Sequence, residues 1–102
     1  SESLSRDGQI EVAFIYGSYA ANQESSTSDI DLFVIGSILS RELSTAVRPV
    51  QADIQREINY HLVTPVEFRE RLEKGDGFLR NVLEGPKIFV VGNEETLRAL
   101  AA

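Results

Sequence analysis

Apolar side chains gather along the chain in four short runs, and the segments between them carry helical spacing. Residues 10–16, IEVAFIY, are rich in branched and aromatic side chains and too short for an ordinary helix, which predicts a buried strand. Residues 29–35, DIDLFVI, alternate: Asp29, Asp31 and Phe33 fall on one side of an extended chain, and Ile30, Leu32 and Val34 on the other. Residues 56–63, REINYHLV, repeat the pattern, with Glu57, Asn59 and His61 opposite Ile58, Tyr60 and Leu62. A fourth strand is predicted over residues 87–91, KIFVV.

Between these runs the punctuation is helical. Gly17 ends the first strand, and Ser18 to Ala21 suit one helical turn before a small, polar loop over residues 22–28. Ser40 is an N-cap for a helix starting near Arg41, with Leu43, Ala46, Val47 and Val50 on one side. Pro49 is expected to kink that helix or to start a second short one over residues 49–55. Thr64-Pro65-Val66-Glu67 combines a cap, a proline at the first helical position and a glutamate three residues after the cap, predicting a helix to about Lys74 that Gly75 stops. Asp76 caps a helix over residues 78–83, and Asn93 caps a last one that turns Leu97 and Leu100 inward. The order β-β-α-β-α-α-β-α implies an α+β domain, a small sheet with helices packed on one face. With the even-numbered positions taken as the covered side, Asp29, Asp31, Glu57 and Asn59 project together from the open side.

A length of 102 residues allows one domain with a single core. The chain opens almost directly on a strand, as expected of a minimal domain cut from a longer protein. Sixteen acidic against ten basic residues give a formal net charge of -6, so no general basic field draws in a nucleic-acid backbone, and direct nucleic-acid binding is not expected. The absence of cysteine excludes disulfides, thiolate zinc sites and a cysteine nucleophile. No apolar run approaches the roughly 18 residues of a membrane span, and the polar N-terminus lacks a signal-peptide core, so the cytoplasm is the expected compartment.

The chemistry concentrates in residues 14–36. Clustered carboxylates repel unless they are solvated, protonated or bridged by a cation. Asp29 and Asp31 lie about 7 Å apart along one strand face, and carboxylates so placed suit a hard cation such as Mg²⁺. At the end of the preceding strand, Gly17 permits close approach of a phosphate, and Ser18 adds a hydroxyl and an N–H donor. Phosphate donors beside metal ligands are the two components of phosphoryl or nucleotidyl transfer.

An apolar strand ending in Gly17-Ser18, ten intervening residues, and Asp29-Ile30-Asp31 between apolar residues resemble the signature of the DNA polymerase β-type nucleotidyltransferases, especially the minimal nucleotidyltransferase domains. The motif covers about a quarter of the chain. The resemblance implies a mixed sheet with helices behind it, nucleotide phosphates held at Gly17 and Ser18, and two Mg²⁺ ions on Asp29 and Asp31. A third carboxylate on a later strand would complete the site. Asn59 stands where that acid is expected, and an amide is no base. Glu57, one pleat earlier, is the substitute as metal ligand and catalytic group; Asp53, in the preceding helix, is a poorer one. The arginine that many members carry after Gly-Ser is replaced by Ala21-Asn22.

The resemblance implies a Mg²⁺-dependent enzyme that transfers a nucleoside monophosphate, AMP from ATP, to a hydroxyl of a protein or other acceptor. A toxin of the HEPN type in a toxin–antitoxin pair is the implied protein partner. Asn59 keeps a second function open: a catalytically degenerate module that binds nucleotide or protein within a larger regulator, for instance one that binds DNA. A plain phosphohydrolase is the third. Elsewhere the plain explanations suffice. His61 and Tyr60 read as packing or surface residues, Arg69, Arg71, Lys74 and Arg80 as a solvated basic face, and Tyr19 as a packing residue near enough to stack on a base.

Overall fold

The computed structural model describes residues 9–21 and 29–102, so the polar loop expected over residues 22–28 lies outside the described residues. Strands β1 (Ile10–Tyr16), β2 (Ile30–Gly36), β3 (Ile58–Val63) and β4 (Ile88–Val91) form one sheet in the order β3-β2-β1-β4. β1 pairs antiparallel with β2 and β4, whereas β2 and β3 run parallel. Between them lie α1 (Gly17–Ala20), α2 (Ser40–Ile54), α3 (Pro65–Glu73), α4 (Gly77–Glu84) and α5 (Glu94–Ala101). The expected α+β mixed sheet is present, with the expected order of elements.

The helices do not share one face. Val12, Phe14, Phe33 and Ile35 bury against Phe68 of α3, Leu79 and Val82 of α4 and Leu97 of α5. Ala13, Leu32 and Val34 bury on the other side against Leu43 and Val47 of α2. The reason is in β2: the odd-numbered row is polar only at Asp29 and Asp31, and beyond them Phe33 and Ile35 are fully buried. Burying an aliphatic or phenyl side chain stabilises by about 1.5–3 kcal/mol, so a row ending in two such residues draws its own cover. The open side is therefore confined to one end of the sheet. β1, apolar in both rows beyond Glu11, is one of the two interior strands and meets this double cover. A register shift between Ile10 and Val12 moves Ile10 to the α2 side despite its even number.

Pro49 neither ends α2 nor starts a new helix, since α2 runs unbroken from Ser40 to Ile54. Pro49 and Thr45 are both exposed, so water can satisfy the Thr45 carbonyl that loses its partner. α2 stops at Gln55, in the left-handed region at φ 57°. At α3 the expected capping box is complete: Thr64 Oγ1 accepts from the Glu67 N–H at 3.1 Å, and Glu67 Oε1 accepts from the Thr64 N–H at 2.8 Å.

Asp76 caps α4 by accepting from the Leu79 N–H at 3.0 Å, and its second oxygen takes Arg71 Nε at 2.8 Å. The Leu79 hydrogen bond, then that from Arg71, hold its carboxyl below the usual range. A depressed carboxylate stabilises the fold above its unfolded value of 3.8, and that increment disappears as pH falls through the folded value. Asp76→Ala should therefore lower the melting temperature at pH 7, and the difference from the parent should vanish in acid below the folded value. Thermal melts across pH measure both.

Candidate active site

Asp31 is built into the site by three neighbours. It pairs with Tyr16 across the antiparallel β1–β2 ladder and with Asn59 across the parallel β2–β3 ladder. Its Oδ2 lies against Gly17, so close that a Cβ added there would sit 2.7 Å from it. Gly17 adopts φ +76°, a conformation that turns the chain sharply out of β1 and that side chains other than glycine rarely adopt. Glycine is thus required at this position twice, by the dihedral and by the carboxylate beside it.

Burial, and then the Asp29 charge, raise the Asp31 carboxyl above its ordinary value. Tyr16 responds in the same sense: burial first, and then the Asp31 charge, push its phenol above 10.0. Two carboxylates and a phenol held in its protonated form thus lie together at the end of the sheet. Keeping Asp31 ionised there is costly without a neighbouring positive charge.

Asn59 sits in register with Asp31, and its Nδ2 donates to Asp29 Oδ2 at 3.1 Å. The amide therefore holds Asp29 against the strand end. Asp29 is exposed and precedes the first residue of β2. Glu57 is exposed as well and precedes β3; its carbonyl accepts from the Ile30 N–H at 2.9 Å and so fixes the start of the β2–β3 pairing. Its Cα lies one pleat, about 7 Å, outward of Asn59. Among the described residues no three acidic or imidazole side chains converge as a metal-binding group. The structure thus brings together Gly17, Asp29, Asp31 and Asn59, follows Gly17 with the exposed Ser18 of α1, and leaves Glu57 at the rim.

Beneath the carboxylates lies an aromatic layer. Phe33 sits edge-on to Tyr16 and Phe78, with centroids at 6.3 and 6.4 Å, and His61 packs against Phe33 and Phe78 at 5.4 and 5.1 Å. Arg71 Nη1 meets His61 Nε2 at 3.0 Å, which requires a neutral ring with Nε2 as acceptor. Burial, then the Arg71 charge, lower the His61 value and favour that form. Arg71 is thereby tied between His61 and Asp76 rather than standing on a solvated face. Tyr19 turns to the α2 side of the sheet, with the Arg56 guanidinium 5.2 Å from its ring centroid. The sequence pattern did not single out Phe78 or Asn81, which reach this end of the sheet only through the packing of α4; an apolar residue at the very start of a capped helix was the sole local signal.

The family model for the polymerase beta nucleotidyltransferases matches residues 1–95. The chain belongs to that family. The fold comparison agrees. A toxin–antitoxin crystal structure with AMP-PNP superposes with a TM-score of 0.58 at 11% identity, covering 91% of this chain and 69% of the other. A mutant of the MntA-HpeT toxin–antitoxin gives 0.60 at 9% identity, covering 93% and 71%. The complex of a tri-AMPylated HEPN toxin with its MNT antitoxin from Shewanella oneidensis gives 0.52 at 11% identity, covering 91% of this chain and 66% of that one. No curated protein matches the chain. Nucleotidyltransferase membership and the fold are therefore established. No helix among the described residues is long and apolar enough to cross a membrane.

Proposed function

We propose that this domain transfers AMP from ATP to a hydroxyl of a protein acceptor, with Mg²⁺ on Asp29 and Asp31 and the triphosphate at Gly17 and Ser18. The observation that carries the reading is the seating of Asp31 Oδ2 in the space left by the missing Cβ of Gly17. It joins the turn that approaches phosphate to the carboxylates that hold metal. The residues fit a hard divalent ion, because two carboxylates adjoin and one is held partly buried at a cost that a cation relieves. When bound, the ion supplies charge neutralisation for the phosphoryl group and the leaving pyrophosphate.

In the transfer, the bond from the α-phosphorus to the pyrophosphate oxygen breaks, a bond to the acceptor oxygen forms, and the acceptor proton passes to the Glu57 carboxylate. Asn59 contributes orientation of Asp29 and cannot take that proton. We assign the third carboxylate to Glu57, reaching inward from the rim with its longer side chain. The fold neighbours that pair an MNT antitoxin with a HEPN toxin favour a HEPN-type protein as acceptor and a toxin–antitoxin role.

The test is incubation of the chain with Mg²⁺ and ATP labelled at either the α or the γ phosphate, in lysate of the source cell and with a HEPN-type partner. Transfer of α label and not γ label to protein is expected, and its absence with both acceptors overturns the reading. Phosphate release without labelling would instead identify a phosphohydrolase.

Asn59 also supports a second reading, in which the domain binds nucleotide without turnover, because a neutral donor stands at the register position beside Asp31. Asn59→Asp separates the two. If Glu57 serves as the third carboxylate, Glu57→Gln should lower transfer roughly 100-fold, the usual worth of a positioned acid–base group, and Asn59→Asp should restore it in that background. If the parent binds ATP without transfer, and Asn59→Asp alone creates transfer, the degenerate reading holds.

A further inference from the structure

Two clefts flank the turn at Gly17, one on each face of the sheet. On the α2 side the cleft is lined by Ile15, Tyr19, Leu32, Ile54 and other apolar residues, and it lies across the sheet from the row that carries Asp31. On the α4 side a cavity of about 340 Å³ is lined by Tyr16, Gly17, Phe78, Asn81, Gly85 and Pro86. Only the second shares a face with the carboxylates, since Tyr16 is the ladder partner of Asp31 and packs with Phe14 and Phe33.

We infer that this α4-side cleft is the base-binding pocket of the nucleoside triphosphate, with Phe78 as the stacking platform and the Asn81 amide as the reader of the base edge. The inference rests on the proposed triphosphate position at Gly17 and adds to it where the rest of the nucleotide goes.

Phe78 is 40% exposed and opens onto this cleft. The ring is nevertheless fixed: Tyr16 lies edge-on at 6.1 Å, Phe33 at 6.4 Å and the His61 ring at 5.1 Å. A flat apolar surface held in place by three aromatic neighbours and open on its remaining side stacks a base with little loss of side-chain freedom. Asn81, one turn along α4, is exposed at the same cleft, and among the described residues its side chain makes no hydrogen bond. Its amide offers both a donor and an acceptor, the complement that the edge of any base requires. Gly85 and Pro86 close the far wall: a Cβ at Gly85 would come 3.3 Å from the Asn81 carbonyl, so the chain there is packed against the helix end. The volume lies at the lower end of small-ligand pockets, roughly 300–1,000 Å³, as befits a site that takes one ring system while the phosphates lie outside it.

The parent chain has no tryptophan, so Phe78→Trp places a single indole in the cleft. With Mg²⁺ present, ATP should quench its emission and inorganic tripolyphosphate should not. Phe78→Ala should weaken ATP binding roughly 5- to 150-fold, the range for loss of one base–aromatic stack, while leaving tripolyphosphate binding unchanged. Asn81→Ala should narrow the differences in affinity among ATP, GTP, CTP and UTP. Unchanged far-UV circular dichroism excludes misfolding as the cause. Equal quenching by ATP and tripolyphosphate, or ATP affinity unmoved by Phe78→Ala, overturns the pocket while the phosphate site stands. If neither ATP nor tripolyphosphate binds, the phosphate site falls and the pocket with it.

Discussion

Asp31→Asn should lower AMP transfer by at least roughly 100-fold, since metal-assisted charge stabilisation contributes several kcal/mol to such reactions, and in metal-free buffer it should at the same time raise the melting temperature. The second half separates a functional carboxylate from a structural one. Burial, then the neighbouring Asp29, raise the Asp31 carboxyl above 3.8. Between 3.8 and the raised folded value, the native state holds a proton that the unfolded state has lost. Stability therefore falls as pH rises through that window, and above it the full penalty persists. An isosteric amide carries no charge and removes the penalty. Asp76 titrates in the opposite sense and below 3.8, so the difference between parent and variant melts isolates Asp31. Excess Mg²⁺ should stabilise the parent by mass action and the variant far less. A variant that melts lower and still transfers would show Asp31 to be an ordinary structural residue.

That trade is visible in the sequence only in part. Asp29-Ile30-Asp31 and Gly17-Ser18 mark the candidate site at short range, and the strand boundaries of β1 follow directly from the IEVAFIY run. The helix placement did not follow, because alternation in β2 reports which residues share a row and says nothing about what covers the row. β1 held the missing information: with Val12 and Phe14 apolar on one side and Ala13 and Ile15 on the other, it had to be covered twice. The pairing of Asn59 with Asp31 depends on the parallel register of β2 and β3, which is fixed in part by a backbone bond from Ile30 to Glu57 and by the Gln51 side chain accepting from the Ile58 N–H at 2.7 Å. Neither contact has a pattern in the sequence. Register is also what leaves Glu57 at the rim, because a shift of one pleat moves a side chain by about 7 Å.

Gly17→Ala is expected to abolish transfer with a modest loss of stability, and the two effects have separate causes. At φ +76° an alanine is strained by about 1–2 kcal/mol relative to glycine, and a comparable fall in unfolding free energy should appear in denaturant titrations. The added Cβ would also lie 2.7 Å from Asp31 Oδ2, closer than carbon and oxygen tolerate. Either the turn opens or the carboxylate swings away, and each outcome separates the proposed phosphate donors from the proposed metal ligands. The pair of variants Gly17→Ala and Asp31→Asn should then be non-additive in transfer, since each alone already breaks the same contact. In stability they should differ in sign, with alanine lowering the melting point and asparagine raising it. Should Gly17→Ala transfer label normally once its stability loss is confirmed, the turn would be a structural corner and the phosphate would have to be held elsewhere on the sheet end.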